Sequence, residues 1–288
     1  MSAPSLLAMV EQALAAEDLK LPVFNQTALQ LQRALGKADF SVEKCAALIN
    51  RDQALASEIL KEANSSFYGG LKKVVTINEA IVRLGAREVL RLTVQVTQRG
   101  LYRCRHKGLN LLMEKLWRHS LGCALGAYWL AKNTGYQTLM QEAFLGGLLH
   151  DIGHLFLLKV LEDVCRAQPQ TRLSEALVME VLVSMHVEQG YRLMQHWGLP
   201  DEYADIVRYH HHPEPPIESS LLTLVMLADQ ACRKLGISLV HHPELVLATS
   251  REAQLLGVKE TTLAQLEIAL EDKFPESVNS LPANSTSH

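Results

Sequence analysis

Apolar residues recur along almost the whole chain with a helical period, and no stretch alternates apolar and polar residues as a half-buried strand would. Val42, Cys45, Ala46 and Ile49 fall at i, i+3, i+4 and i+7 behind Ser41, a suitable N-cap. Asp52 is placed to cap the next helix, in which Leu55 and Ile59 share a face. Asn78 precedes Ala80, Ile81 and Leu84, and Gly85 suits a left-handed C-terminal turn. A longer pattern, 109–131, carries His119, and another, 137–149, delivers His150-Asp151 at or just past its end. Helical patterns follow at about 155–166, 174–197, 200–211, 218–235 and 243–256, and Thr262 with Gln265 reads as the capping box of a last helix. Val74 to Ile77 reads as an extended connector. The pattern predicts an all-α fold.

The periodicity breaks near 98–109, at Gly100, Gly108 and the basic cluster Arg99, Arg103, Arg105 and Lys107. This predicts an N-terminal helical part over 1–105, a second helical domain over 106–274, and a Ser-, Asn- and Pro-rich unstructured tail over 275–288. No internal repeat is visible.

Composition narrows the class. With 288 residues, 48% hydrophobic and 20% charged, the chain suits a soluble globular protein of two ordinary domains or one large one. A net charge of −3 argues against a general polyanion binder, so nucleic acid is not an expected partner. The basic cluster reads as a solvated linker, because no aromatic residues interleave to offer a stacking platform. No uninterrupted apolar stretch reads as membrane-spanning, and the N-terminal segment, with Glu11, Glu17 and Asp18, does not read as a signal peptide; a cytoplasmic location is expected. Cys45, Cys104, Cys123, Cys165 and Cys232 are odd in number and widely spaced, so they read as reduced, mostly buried thiols and not as a disulfide frame or a thiolate zinc site.

The candidate chemistry lies entirely after the break. His150-Asp151 sits in Gly-Gly-Leu-Leu-His-Asp-Ile-Gly-His, residues 146–154. An imidazole beside a carboxylate offers a divalent ion one nitrogen and one oxygen ligand, and the carboxylate's second oxygen can bridge to another ion. His119, His186, His210, His211 and Asp229 are the residues that would complete one or two such shells. Each also has a plain reading. His119, on a mostly apolar helix, reads alone as a core histidine. Asp151 reads as a helix cap, His186 as a partly exposed helix residue, and His210, His211 and His212 as helix-terminal histidines favoured by the dipole. Asp229 lies on an apolar face, where an unpaired carboxylate is expensive, so it needs a metal or a cationic side chain. The ordered series favours metal.

The residues also resemble a known family. The first half carries Leu21-Pro22-Val23-Phe24, then Ser41-Val42-Glu43 through Ile49-Asn50-Arg51-Asp52, Leu60 through Gly69, and Ile77 through Gly85. The second carries Leu116-Trp117-Arg118-His119-Ser120, Leu148-Leu149-His150-Asp151-Ile152-Gly153, His186 with Gly190, Trp197-Gly198-Leu199-Pro200, and Ile206 through His211. Together these resemble the HDOD domain, an HD-related output domain of the HD superfamily. The resemblance covers about 19–235. It implies an HD-type helical bundle with a smaller N-terminal bundle packed on it, and bacterial signal transduction, often beside receiver modules, with unidentified signalling proteins as partners.

Set beside the two-metal HD-GYP phosphodiesterases of the same superfamily, His119, His150, Asp151 and Asp229 correspond to one ion's ligands, and Asp151 bridges to a second held by His186, His210 and His211. The chain also departs from that group. Lys115 stands where some relatives carry an acidic residue, His154 replaces the phosphate-holding Lys, and His212-Pro213-Glu214-Pro215-Pro216 replaces the Gly-Tyr-Pro segment. The expected function is a regulatory output protein with a metal-binding site for one or two divalent ions, iron or manganese first, then zinc, nickel or magnesium. The alternative is a metal-dependent phosphohydrolase of a nucleotide, cyclic nucleotide or other phosphoester. In it Asp151 would serve catalysis and His154 or Lys115 would contact phosphate.

Overall fold

A computed structural model describes residues 5–16, 25, 27, 28, 30, 31, 41–65, 68, 72–171 and 173–279. Among these the regular structure is helical and no strand occurs. The chain forms two compact units, residues 1–22 with 102–276 and residues 23–101 with 277–288.

The first helix, α1 (Leu6–Leu14), corrects the expected division over 1–105. It belongs to the larger unit, where it packs on the helix over Ile152–Ala167 and buries Leu6, Met9, Val10 and Leu14. A short amphipathic helix must bury its stripe somewhere, and its place in the chain does not say where.

The smaller unit contains α2 (Val42–Ile49), α3 (Gln53–Ala63), α4 (Ile77–Leu84) and α5 (Ala86–Arg99). Ser41 and Asp52 cap α2 and α3 as expected. The cap of α4 is Thr76, because Glu79 closes a capping box with it. Gly85 takes a φ of 84°, which lets α5 follow α4 without a loop. Ile49, Leu55, Ile59, Ala63, Ile77 and Ile81 make the centre of its core.

Asn64, at the end of α3, ties down the segment before α4. Its amide Nδ2 donates to Leu60 O at 2.8 Å and to Val74 O at 2.9 Å, and its Oδ1 accepts from Val74 N at 2.9 Å. Asn64→Ala is therefore expected to destabilise the protein by about 1–3 kcal/mol, since it strands the Val74 backbone groups. Urea unfolding measures this, and an unchanged midpoint would contradict it.

The larger unit contains α6 (Lys107–Asn133), α7 (Met140–Leu149), α8 (Ile152–Ala167), α9 (Glu175–Trp197), α10 (Asp201–Tyr209), α11 (Ser220–Lys234), α12 (Arg251–Leu255) and α13 (Glu260–Asn279). Helix α6 packs on α7 and α11, and α9 packs on α8 and α10. The stretch Gln137–Ala167 is long and apolar enough to cross a membrane by length and composition alone, with mean hydropathy 1.4 over its best window, and 94% of that window is buried inside the protein. It is also broken at His150-Asp151.

Three further expectations are corrected. The helix expected over 243–256 is reduced to a 3-10 turn over Leu247–Thr249 and the short α12, which starts where the Ser250 hydroxyl accepts from Ala253 N. Helix α13 starts before Thr262, whose N–H bonds Lys259 O within the first turn. It also continues through Pro275 to Asn279, so the tail expected from 275 begins inside a helix, and residues 280–288 lie outside the described residues. The basic stretch after α5 is tied to α8. Lys159 Nζ donates to Arg103 O, and Arg105 N donates to Glu162, while the Arg103, Arg105 and Lys107 side chains are exposed.

Candidate metal centre

Six elements of the larger unit deliver ligand-type side chains to one place. Helix α6 brings His119, the end of α7 brings His150, and the break before α8 brings Asp151. Helix α9 brings His186, the end of α10 brings His210 and His211, and α11 brings Asp229.

Two close approaches of backbone make this convergence possible. A Cβ on Gly147 would lie 2.6 Å from Cys123 O, so only glycine lets α7 approach α6 so closely. A Cβ on Gly153 would lie 1.9 Å from His186 O, so α8 and α9 touch through backbone beside the cluster. The Gly-Gly and Ile-Gly-His steps around His150-Asp151 are thus packing devices that set the ligands' spacing.

Asp151 does not cap α8 with its side chain. Its carboxylate turns instead toward imidazoles. Oδ2 lies 3.3 Å from His119 Nε2 and 3.5 Å from His150 Nε2, and Oδ1 lies 3.2 Å from His210 Nε2 and 3.8 Å from His186 Nε2. Asp229 Oδ1 is 3.3 Å from His119 Nε2, and its other oxygen is 3.5 Å from Arg233 Nη1. Asp229 therefore has a cationic side chain, Arg233, and an imidazole, His119, as partners in its apolar setting.

The ring orientations are set from behind. His119 Nδ1 lies 2.8 Å from Ile237 O, His150 Nδ1 2.7 Å from Gly147 O, His186 Nδ1 2.9 Å from Leu182 O, and His210 Nδ1 3.0 Å from Val207 O. A carbonyl only accepts, so each Nδ1 carries the proton and each Nε2 is turned to the centre. This is how metal-binding histidines are held. His186 Nε2 is buried and has no hydrogen-bond partner, a costly state that a cation would relieve.

Ligand atoms gather in two sets, His119, Cys123, His150 and Asp229, and Asp151, His186, His210 and His211; within each set all lie within 4.8 Å of one another. Asp151 has one oxygen toward each set. Of these residues only His211 is exposed. The donor set, imidazole nitrogens with carboxylates and one thiol, fits a divalent transition ion.

The charges are uneven. Burial works against the charged form of His119, yet the Asp151 hydrogen bond and the Asp151 and Asp229 charges raise it to about 9. Burial also opposes His210, which Asp151 nevertheless raises. Burial and cationic neighbours push His150 down to about 4, His186 to about 3 and His211 to about 4. Burial favours protonated Asp151, but the charges of His154 and His150 and the His119 hydrogen bond hold its carboxyl well below the usual range. The proton on His119 thus offsets buried carboxylate charge when no cation does.

The two remaining candidates lie differently. His154 is buried within the cluster, stacked on His186 with ring centroids 4.0 Å apart. Its Nδ1 is 3.2 Å from Asp151 Oδ1 but out of hydrogen-bond alignment. Lys115 is exposed on α6, one turn before His119. Cys123 was not among the sequence candidates. Its signal was its position four residues after His119, which puts both on one face of α6.

Helices that hold a linked histidine–aspartate cluster of this kind define an HD-type domain. The HDOD domain model matches residues 21–213, and the chain belongs to the HDOD family. An uncharacterized protein of Treponema pallidum (strain Nichols) is 28% identical over 220 residues, which is 74% of this chain and 42% of that protein, so the chain spans about two-fifths of that relative's length. An HDOD domain protein from Geobacter sulfurreducens has the same fold, with a TM-score of 0.74 and 21% identity over 96% of this chain and 98% of that one. So has a candidate metal-dependent phosphohydrolase from Shewanella amazonensis SB2B, with a TM-score of 0.71 and 20% identity over 95% and 98%.

Proposed function

We propose that this protein is a signalling regulator whose larger unit holds one or two divalent ions, bridged by Asp151, and which acts through contacts with other signalling proteins. The observation that carries this reading is closure. His119, His150, Asp151, His186, His210 and Asp229 are each at most 5% exposed, and only His211 reaches solvent. A centre that holds helices together can be closed, whereas a hydrolytic centre keeps a coordination position open for water and substrate. Iron or manganese is the first choice for the His and Asp ligands, with zinc, nickel or magnesium after them.

A second reading, metal-dependent phosphoester hydrolysis, is favoured by the Asp151 carboxylate, whose two oxygens face different ligand sets. Bound ions would supply Lewis-acid stabilisation and a more acidic water. In that reading His154, buried beside Asp151, or the exposed Lys115 would contact the phosphate. The departures from Gly-Tyr-Pro and from the phosphate-holding Lys argue against strong cyclic-di-GMP hydrolysis.

The test compares wild type with His150→Ala and Asp151→Ala after iron or manganese loading, on cyclic dinucleotides, nucleotides and simple phosphoesters. The regulator reading expects no robust turnover by any of them, and binding of a signalling partner altered by both substitutions. Robust turnover by wild type, lost in both variants with helical content intact, would replace it with the hydrolase.

Uptake of the ion should also depend on pH. With His119 raised to about 9, its Nε2 carries a proton at neutral pH and must lose it to become a ligand. Affinity at that set is expected to rise about tenfold per pH unit below 9 from this proton alone. Manganese titrations at several pH values measure the slope, and a flat profile between pH 6 and 8 would count against His119 as a ligand.

A further inference from the structure

We infer that the turn after α11, residues 235–242, couples the metal centre to the protein's surface, because its Ile237 carbonyl positions the ligand His119. This rests on the metal-centre reading above and adds the place where the filling of the centre and a change at the surface meet.

The source of each ring's hydrogen bond carries the inference. His150 is held by Gly147 O, His186 by Leu182 O and His210 by Val207 O, each three or four residues back in the chain. These carbonyls belong to α7, α9 and α10, so the helices that deliver these ligands also orient them. His119 differs. Its Nδ1 lies 2.8 Å from Ile237 O, 118 residues away in the chain and outside any helix. Ile237 is half-buried, and Gly236, Val240 and His241 beside it are exposed. The orientation of one buried ligand thus depends on a segment that meets solvent.

The turn is built to hold that carbonyl. Gly236 has a φ of 71°. Ile237 N donates to Cys232 O at 2.8 Å, and Gly236 N donates to Arg233 O at 3.4 Å. This is a Schellman closure, which fixes the residue after the glycine against the end of the helix. The chain then folds back. His242 N donates to Arg233 O at 3.0 Å, and His241 Nε2 lies 3.0 Å from Lys234 O. The Arg233 side chain reaches the other way, with Nη1 3.5 Å from Asp229 Oδ2. The end of α11 therefore touches two residues of one ligand set, His119 and Asp229.

An ion sharpens this dependence. It takes Nε2 at about 2 Å along the lone pair, which lies in the plane of the ring. The 3.3 Å contacts with Asp151 and Asp229 are looser and tolerate a tilted ring. With an ion bound, the ring keeps its bond to Ile237 O only while the turn holds its present position. Filling the centre should then stiffen the turn, and by linkage whatever binds or distorts the turn must alter metal affinity. A signalling partner that grips the exposed residues of this turn would read the loading of the centre, or set it.

The test uses the full chain, stripped of metal, with zinc or manganese alone as the probe. Loading is expected to slow amide exchange over 236–242 more than at the turn after α12. That turn is the control, because Gly257 has a φ of 62° and Val258 N donates to Ala253 O, yet it orients none of the ligand histidines. Gly236→Ala strains a positive φ and should weaken metal binding about tenfold or more. Gly257→Ala imposes the same strain and should lower the urea midpoint with metal affinity unchanged. Unchanged affinity in Gly236→Ala, equal losses in the two variants, or slowing over 236–242 no greater than at the α12 turn would each overturn the coupling and leave the metal centre standing. A wild-type protein that binds neither zinc nor manganese would overturn both. The wild-type exchange measurement decides the matter even if Gly236→Ala does not fold.

Discussion

Asp151→Ala is expected to abolish loading of both ligand sets at once, whereas His150→Ala should impair only the set on α6, α7 and α11. Asp151 is the one side chain with an oxygen toward each set, 3.3 Å from His119 Nε2 on one side and 3.2 Å from His210 Nε2 on the other. Loss of an outer partner of a metal ligand typically costs about 10–100-fold in affinity, and loss of a shared ligand should exceed that. Elemental analysis of protein purified without chelator reads the result directly. Wild-type metal content in Asp151→Ala would exclude the bridge. A loss confined to one ion in that variant would leave two separate sites in its place.

The second large effect is structural. Gly153→Ala places a methyl group 1.9 Å from His186 O, 2.7 Å from His186 C and 2.9 Å from Gly190 N. These are backbone atoms, so no side-chain rotation relieves the clash, and α8 and α9 must separate. Alanine gains about 1 kcal/mol of helix propensity over glycine. Overpacking of this kind costs about 1–3 kcal/mol or more, so the net effect is destabilising. The separation also carries His186 away from Asp151, so the Asp151 set should lose affinity for manganese. Gly135→Ala is the control, because a Cβ there meets nothing within 4 Å. Equal urea midpoints for Gly153→Ala and wild type would show that the two helices are not locked at this point.

Most helices were legible because each depends on residues near one another in the chain. Ser41 and Asp52 cap where their spacing from the apolar stripe says they should, and His150-Asp151 ends one helix and begins the next. The misreadings have local causes. The start of α4 lies before Asn78, where the Thr76–Glu79 reciprocal bond closes a capping box. The pattern over 243–256 suggested one helix, but the chain is regular only in short pieces around Ser250.

The histidine–aspartate series was legible for a different reason. Histidine beside aspartate in an otherwise apolar run is expensive unless its polar atoms find partners, and five further polar positions in order, His119, His186, His210, His211 and Asp229, supply them. By itself the sequence determined the all-helical class, the family and the identity of the histidines and aspartates that meet, because periodicity, caps and buried polar groups are written residue by residue. Only the tertiary structure decided that α1 joins the larger unit, that Asp151 faces both ligand sets, that His154 lies inside the cluster while Lys115 lies outside it, and that Cys123 lies beside the His119 ring. Those facts depend on how closely α6, α7, α8 and α9 approach, set at Gly147 and Gly153 by the absence of a Cβ, and on distances between atoms far apart in the chain.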